Sequence, residues 1–289
     1  MTSTFVVIGA STGLGRATAD SLARDHRVVI VGRNAEADIK ADLRDLADVA
    51  RAADEVRALG PLAGIACNAG VQSTGEADFN ASGIELTFAV NVLAHLAFIA
   101  HLAPAKTTRI GFVGSGTLDP DNRGARRFGF RGGRFSDVAA LAAGKGDPEA
   151  SSAQNARDRY ATSKLCNLLT VRALAKRGVA AFAFDPGLMP GTGLARDYGI
   201  VSRMAWSSVL RVAALAMPGA SSARRSGRAF AWALDEAVPG AYYDFHRREV
   251  AIPAVAQRDD WAEALYLGSL ELAGIGRDPF AHEIAARAR

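Results

Sequence analysis

Only two cysteines, Cys67 and Cys166, occur among the 289 residues. Neither has metal-ligand spacing, and two isolated cysteines make no disulfide framework, so no metal is expected and a reducing compartment fits. Long hydrophobic runs are also missing. The longest towards the C-terminal end, 209–217, is interrupted by Arg211 and is too short to span a bilayer. The opening residues MTSTFVVIGAS carry no basic stretch, and their apolar run breaks at Gly9, unlike a secretory leader. A cytoplasmic location is therefore expected. Neither internal repeats nor coiled-coil heptads are found. With 49% hydrophobic and 22% charged residues, the chain is not globally disordered and can bury a sizeable core. The net charge of +4 is concentrated in the stretch RGARRFGFRGGR, 123–134. No nucleic-acid motif accompanies it, so it reads as a solvated loop or as an anion-binding segment.

What is present is an alternation. Short β-branched runs at 4–8, 27–31, 37–40, 62–67, 109–113, 179–184 and 240–244 read as strands. Helical patterns cover 13–23, 43–59, 84–102, 156–176, 223–234 and 260–272. This βαβ order predicts an α/β fold, a doubly wound parallel sheet in one Rossmann domain over 1–289. Two stretches break the rhythm. The segment 118–155 is too long for an ordinary loop and reads as a functional excursion or a partly disordered insertion. The apolar pattern within 193–222, MAWSSVLRVAALAM, reads as a helical lid. Its Trp206, Val209, Leu210 and Met217 would line a pocket for a bulky, largely apolar molecule.

The first strand runs into VIGASTGLG. Here Gly9, Gly13 and Gly15, with Ser11, Thr12 and Leu14 between them, allow a tight turn and a close approach to a pyrophosphate at the start of the first helix. The spacing Gly-x3-Gly-x-Gly resembles the cofactor loop of the short-chain dehydrogenase/reductase family. Cofactor choice is read at the end of the second strand, where Gly32-Arg33-Asn34 offers a cation and no acid. NADP(H) is predicted, with Arg33 facing the 2′-phosphate. Asp42-Leu43 resembles the family's Asp-Leu pair beside the adenine. Cys67-Asn68-Ala69-Gly70 resembles its Asn-Asn-Ala-Gly segment, with Cys67 in place of the first asparagine. By resemblance, Asn68 steadies the central sheet.

Tyr160 and Lys164 stand four apart in YATSK and share a helix face. An ammonium near a phenol favours phenolate and brings its titration towards neutral pH. Ser115 closes the strand RIGFVGS, Thr117 follows two residues on, and Asn91 lies in FAVNVLAHL. These match the family's catalytic set in order. The resemblance implies that Tyr160 exchanges the proton on the substrate oxygen and that Ser115 orients that oxygen. Lys164 would hold the nicotinamide ribose, and Asn91 a water-linked proton path. Pro186, Gly187, Met189 and Thr192, in DPGLMPGT, resemble the stretch along the nicotinamide, with Gly191 where the family's threonine usually stands. His95 and His101 read as packed or exposed residues without a catalytic role.

The long gap between Ser115 and Tyr160, the sequence YATSKLCN and the segment PGLMPGTGLAR resemble the branch of retinol dehydrogenases and light-dependent protochlorophyllide reductases. Together these features predict hydride transfer between NADP(H) and a carbonyl, alcohol or conjugated double bond. The alternative is a catalytically silent NADP(H)-binding regulatory or scaffold protein, which the complete tetrad disfavours. A nucleic-acid binder and a sugar-nucleotide epimerase are weaker rivals. A small-molecule substrate is the expected partner, with no membrane span and no nucleic acid. The family resemblance implies a dimer or tetramer, and the insertion leaves a monomer open.

Overall fold

The computed structural model describes residues 2–189 and 219–281. Seven strands form one sheet: β1 (Thr4–Ile8), β2 (Arg27–Gly32), β3 (Ile39–Lys40), β4 (Gly64–Cys67), β5 (Arg109–Val113), β6 (Ala181–Asp185) and β7 (Tyr242–Asp244). The order is β3-β2-β1-β4-β5-β6-β7, and every neighbouring pair is parallel. The chain reverses direction across the sheet between β1 and β4. Such a switch point opens a crevice at the C-terminal strand ends, where ligands bind in this architecture.

The predicted α/β class is therefore the observed one. β1 shows why. Its residues Phe5 to Ile8 are all buried, as a central parallel strand covered on both faces requires. Successive side chains point to opposite faces. Val6 and Ile8 join one core, whereas Phe5 and Val7 join the other.

The first core lies under α2 (Leu46–Arg57), α4 (Ala94–Leu102), α7 (Ser152–Lys176) and α9 (Asp259–Leu272). The second lies under α1 (Gly13–Leu22) and α8 (Ala223–Glu236), where Phe230 stacks on Phe184 at 4.7 Å between ring centroids. The long helix predicted over 84–102 is three pieces: α3 (Leu86–Phe88), a π-helical turn (Ala89–Leu93) and α4.

The segment 118–155 is structured. It carries α5 (Arg123–Arg127), capped by Asn122, and α6 (Val138–Ala142), capped by Asp137. Leu118 and Phe135 bury into the first core. The Gly133 N–H donates to the Leu118 carbonyl at 2.8 Å, and the Arg134 N–H to Thr162 Oγ1 at 3.1 Å. The segment is thus stitched to itself and to α7. Helix α7 starts four residues before its predicted beginning because Ser151 caps it, accepting from the Gln154 N–H at 3.2 Å. Except for 219–222, the predicted lid lies outside the described residues, including Trp206, Val209, Leu210 and Met217.

Candidate active site and cofactor crevice

The turn after β1 is shaped by glycine. Gly9 and Gly13 have φ of +87° and +61°, a region that side chains resist. A Cβ on Gly15 would stand 2.2 Å from the Gly9 carbonyl oxygen and 2.4 Å from Asn68 Nδ2. Asn68 Nδ2 donates to that same carbonyl at 2.6 Å, tying the end of β4 to the loop. Helix α1 begins at Gly13, buries Leu14, and receives no side-chain cap from Thr12. The start of α1 thus follows directly on the exposed Ser11 and Thr12 at the C-terminal end of β1, and a helix N-terminus in that place suits a pyrophosphate.

Further along the crevice, Arg33 is exposed at the end of β2. Its charge reaches Asp42, whose carboxyl is held below the ordinary carboxylate range first by the Arg44 guanidinium and in smaller part by Arg33. Leu43 is buried in the first core. Arg16, one residue past the glycine turn, was not singled out from sequence. It reaches Glu36 in the β2–β3 connection at 2.7 Å, so a second cation and an acid flank Arg33's loop. Only their separation of 20 residues hid the pair.

Three of the four predicted catalytic residues are fully or almost fully buried: Asn91, Tyr160 and Lys164. Lys164 Nζ lies 5.4 Å from the centre of the Tyr160 ring and donates to the Val113 carbonyl at 3.3 Å. Asn167 Nδ2 shares that carbonyl at 2.9 Å. Burial lowers the Lys164 ammonium from its ordinary value to about 8, and the Asp185 charge opposes the shift. Two residues past Val113, Ser115 Oγ accepts from the Thr117 hydroxyl at 3.1 Å and from the Thr117 N–H at 3.3 Å. Asn91 sits in the π-helical turn. A Cβ on Gly70 would lie 3.3 Å from Asn91 Oδ1 and 3.8 Å from Lys164 Nζ, so all three residues border one space. Ala69 uses its carbonyl on His95 Nε2 at 2.9 Å. Burial drives that imidazole down to about 4, leaving His95 a neutral packed residue, as expected from sequence.

The Pro186–Gly187 turn stands beyond β6. Ser226 Oγ donates to the Pro186 carbonyl at 2.7 Å, Gly187 has φ of +72°, and Met189 is buried. Thr192 and Gly191 lie outside the described residues. Two residues here carried no signal in sequence. Asp185 accepts the Gly187 N–H at 2.8 Å, and Phe130 sets its ring 6.2 Å from that of Tyr160. A concavity of about 520 Å³ opens beside Phe130, lined also by Pro120, Arg126, Gly129, Arg131 and Gln154. No cluster of His, Cys, Asp and Glu among the described residues would hold a metal ion. No described helix is long and apolar enough to cross a membrane.

Known proteins resemble this chain in sequence and in fold. Residues 3–117 match the family model for short chain dehydrogenase. Protochlorophyllide reductase B, chloroplastic, from Oryza sativa subsp. japonica is 30% identical over 242 residues, 68% of this chain and 57% of that protein. The chain thus spans less than two thirds of that relative's length. The 3-alpha-hydroxysteroid dehydrogenase from Pseudomonas sp. B-0831, solved with NADH, superposes with a TM-score of 0.59 at 28% identity, over 84% of this chain and 94% of that one. An uncharacterized protein from Mycobacterium Paratuberculosis shares the fold with a TM-score of 0.66 at 24% identity, over 94% of this chain and 93% of its own. The family-model match and these relatives support a member of the short-chain dehydrogenase/reductase family.

Proposed function

We propose that this chain is an NADP(H)-dependent oxidoreductase that interconverts a carbonyl and an alcohol, or reduces a conjugated double bond, on a bulky, largely apolar small molecule. One observation carries the reading: the buried Lys164 ammonium, held by the Val113 carbonyl, stands 5.4 Å from the Tyr160 ring, and Ser115 follows on the same strand end. A cation there favours the phenolate, and Tyr160 would exchange the proton on the substrate oxygen. The Ser115 hydroxyl holds the substrate oxygen while charge develops on it. Asn91 keeps the wall behind Lys164 in place and supports the proton path. When bound, the nicotinamide supplies the hydride.

The residues fit that cofactor. The N-terminus of α1 would hold its pyrophosphate, and Asp42 and Leu43 would border the adenine. Gly70, Lys164 and the Pro186–Gly187 turn would flank the nicotinamide end, with Met189 and Thr192 further along. The Pseudomonas relative is complexed with NADH, so the preference for NADP rests on Arg33 alone. The concavity beside Phe130 supports an apolar, ring-bearing substrate that carries an anionic group. Arg131 is neutralised by Asp158 and Asp147, whereas Arg126 has no carboxylate partner among the described residues.

The test is calorimetric titration of the native chain and Arg33→Ala with NADPH and NADH. Tighter NADPH binding in the native chain, lost in the variant, is expected, and reduction of a panel of aromatic keto acids and ketones would follow. Equal binding of both cofactors would refute the Arg33 assignment. Binding of neither would refute the oxidoreductase reading.

A further inference from the structure

Helix α7 carries two stripes side by side. Tyr160 and Lys164 stand one turn apart on one of them, and Arg159 and Ser163 stand one turn apart on the next. The second stripe receives the loop that follows β4. Gly70 borders Lys164 Nζ, and the residue after it, Val71, is held by the Asn91 side chain, whose amide donates to Ser163 Oγ at 3.0 Å. Four residues further along the loop, the Gly75 carbonyl accepts from Arg159 Nη2 at 2.7 Å, with Ser73 Oγ 3.5 Å from the same nitrogen. The stretch 71–75 is thus fastened to α7 at two levels. It runs from the level of Lys164 to that of Tyr160, beside the catalytic pair.

The Arg159 side chain is nine-tenths buried, and a guanidinium taken out of water needs an anion. Glu85, itself buried, supplies it: Arg159 Nε lies 3.4 Å from Glu85 Oε1. The other carboxylate oxygen accepts the Phe88 N–H at 2.7 Å and so caps α3, which leads directly into the π-helical turn that carries Asn91. The Glu85 N–H donates to the Ala142 carbonyl at 2.8 Å, at the end of α6. One residue therefore backs both fastenings, Arg159 by contact and Asn91 through the start of its helix. It also anchors the segment 118–155.

We propose that Arg159, backed by Glu85, is a positioning residue that lays the loop 71–75 along the catalytic face of α7 and so fixes the wall of the substrate groove next to Tyr160. Gln72, Ser73 and Thr74 lie between the two fastenings, and their placement depends on both.

The groove rests on the oxidoreductase reading, whereas the tie between Arg159 and the loop does not, so the test reads the two separately. Glu76, exposed and next after Gly75, is a cleavage site for a glutamate-specific protease. Glu55, inside α2, is the control, because cleavage there needs the domain to open. In the full chain, Arg159→Met should speed cleavage after Glu76 by about tenfold or more relative to cleavage after Glu55. For any carbonyl compound that the native chain reduces with NADPH, the same variant should raise KM by about tenfold, with NADPH affinity in calorimetry kept. Arg159→Lys keeps the charge opposite Glu85 but has one nitrogen for two acceptors, and it should fall between the native chain and Arg159→Met in both readouts. Equal acceleration after Glu76 and Glu55 would mean a residue that only supports the fold, and it would overturn the proposal. No acceleration, or an unchanged KM, would overturn it too. Should Arg159→Met fail to fold, Arg159→Lys decides by the same ratio. Should no carbonyl compound turn over, the oxidoreductase reading fails separately and the cleavage ratio alone judges the tie.

Discussion

Asn91 and Val71 exchange two hydrogen bonds: Asn91 Oδ1 accepts the Val71 N–H at 2.7 Å, and Asn91 Nδ2 donates to the Val71 carbonyl at 2.9 Å. The same amide nitrogen donates to Ser163 Oγ at 3.0 Å, so one side chain joins the loop after β4 to α7. Asn91→Ala leaves a backbone N–H, a carbonyl and a hydroxyl short of partners in a buried wall. A loss of about 2–4 kcal/mol is expected, read from the midpoint of urea unfolding at unchanged slope. A loss within experimental scatter would contradict the wall described here.

For Tyr160→Phe, the ring and its contact with Phe130 remain and only the hydroxyl goes. The turnover of any carbonyl substrate found for the native chain should fall by about 10²–10⁴-fold, with NADPH affinity changed little. Retention of turnover would remove Tyr160 from the proton transfer.

Gly15→Ala places a methyl where the Gly9 carbonyl and the Asn68 amide already stand. The loop must move, because both neighbours are held by a mutual hydrogen bond. Stability should fall by about 1–3 kcal/mol, and NADPH binding should be lost or greatly weakened in calorimetry. Normal binding would mean that the loop yields without cost.

Lys164 sits below its ordinary value, at about 8, because burial disfavours its charge. Between that value and the unfolded lysine's, near ~10.4, the unfolded chain binds more protons than the native one. Native stability should therefore gain up to about 3 kcal/mol from this group as pH rises through that window. Lys164→Met should lack that gain and should be relatively more stable at about pH 7. Parallel stability curves for the two proteins would show that Lys164 is not desolvated.

Helix α9 packs along α7 and α4, whose middle residues are buried within one chain. Arg177 of α7 anchors this arrangement, donating to Glu263 at 2.7 and 2.8 Å and to Asp278 at 2.6 Å. The family resemblance would put a partner subunit on those two helices, where α9 already lies. Sedimentation equilibrium should therefore return a mass near 30.2 kDa. A stable dimer would require another face.

Much of the fold was legible because parallel strands buried on both sides are near-continuous apolar runs, as in FVVI of β1. The glycine turn and the Tyr160–Lys164 spacing were legible because both act over a few residues. The π-helical turn was not. Its sequence AVNVL is apolar all round, so no stripe exists to show that the helical period has changed. Order in 118–155 depends on Leu118 and Phe135 reaching the core and on Asn122 and Asp137 capping short helices, four residues in a polar stretch. Asp185 carried no signal because its donors come from β7 and two turns far apart in sequence.

The π-helical turn at Ala89–Leu93 has a consequence for how this gene can change. A π turn holds one residue more than an α turn, so the helix contains a position that α geometry has no room for. Losing any single codon there would let the helix relax to a regular period. The turns on either side would keep their faces, and the wide turn that carries Asn91 would tighten, drawing its amide away from Val71. The length of this turn, more than the identity of its apolar residues, sets where Asn91 points.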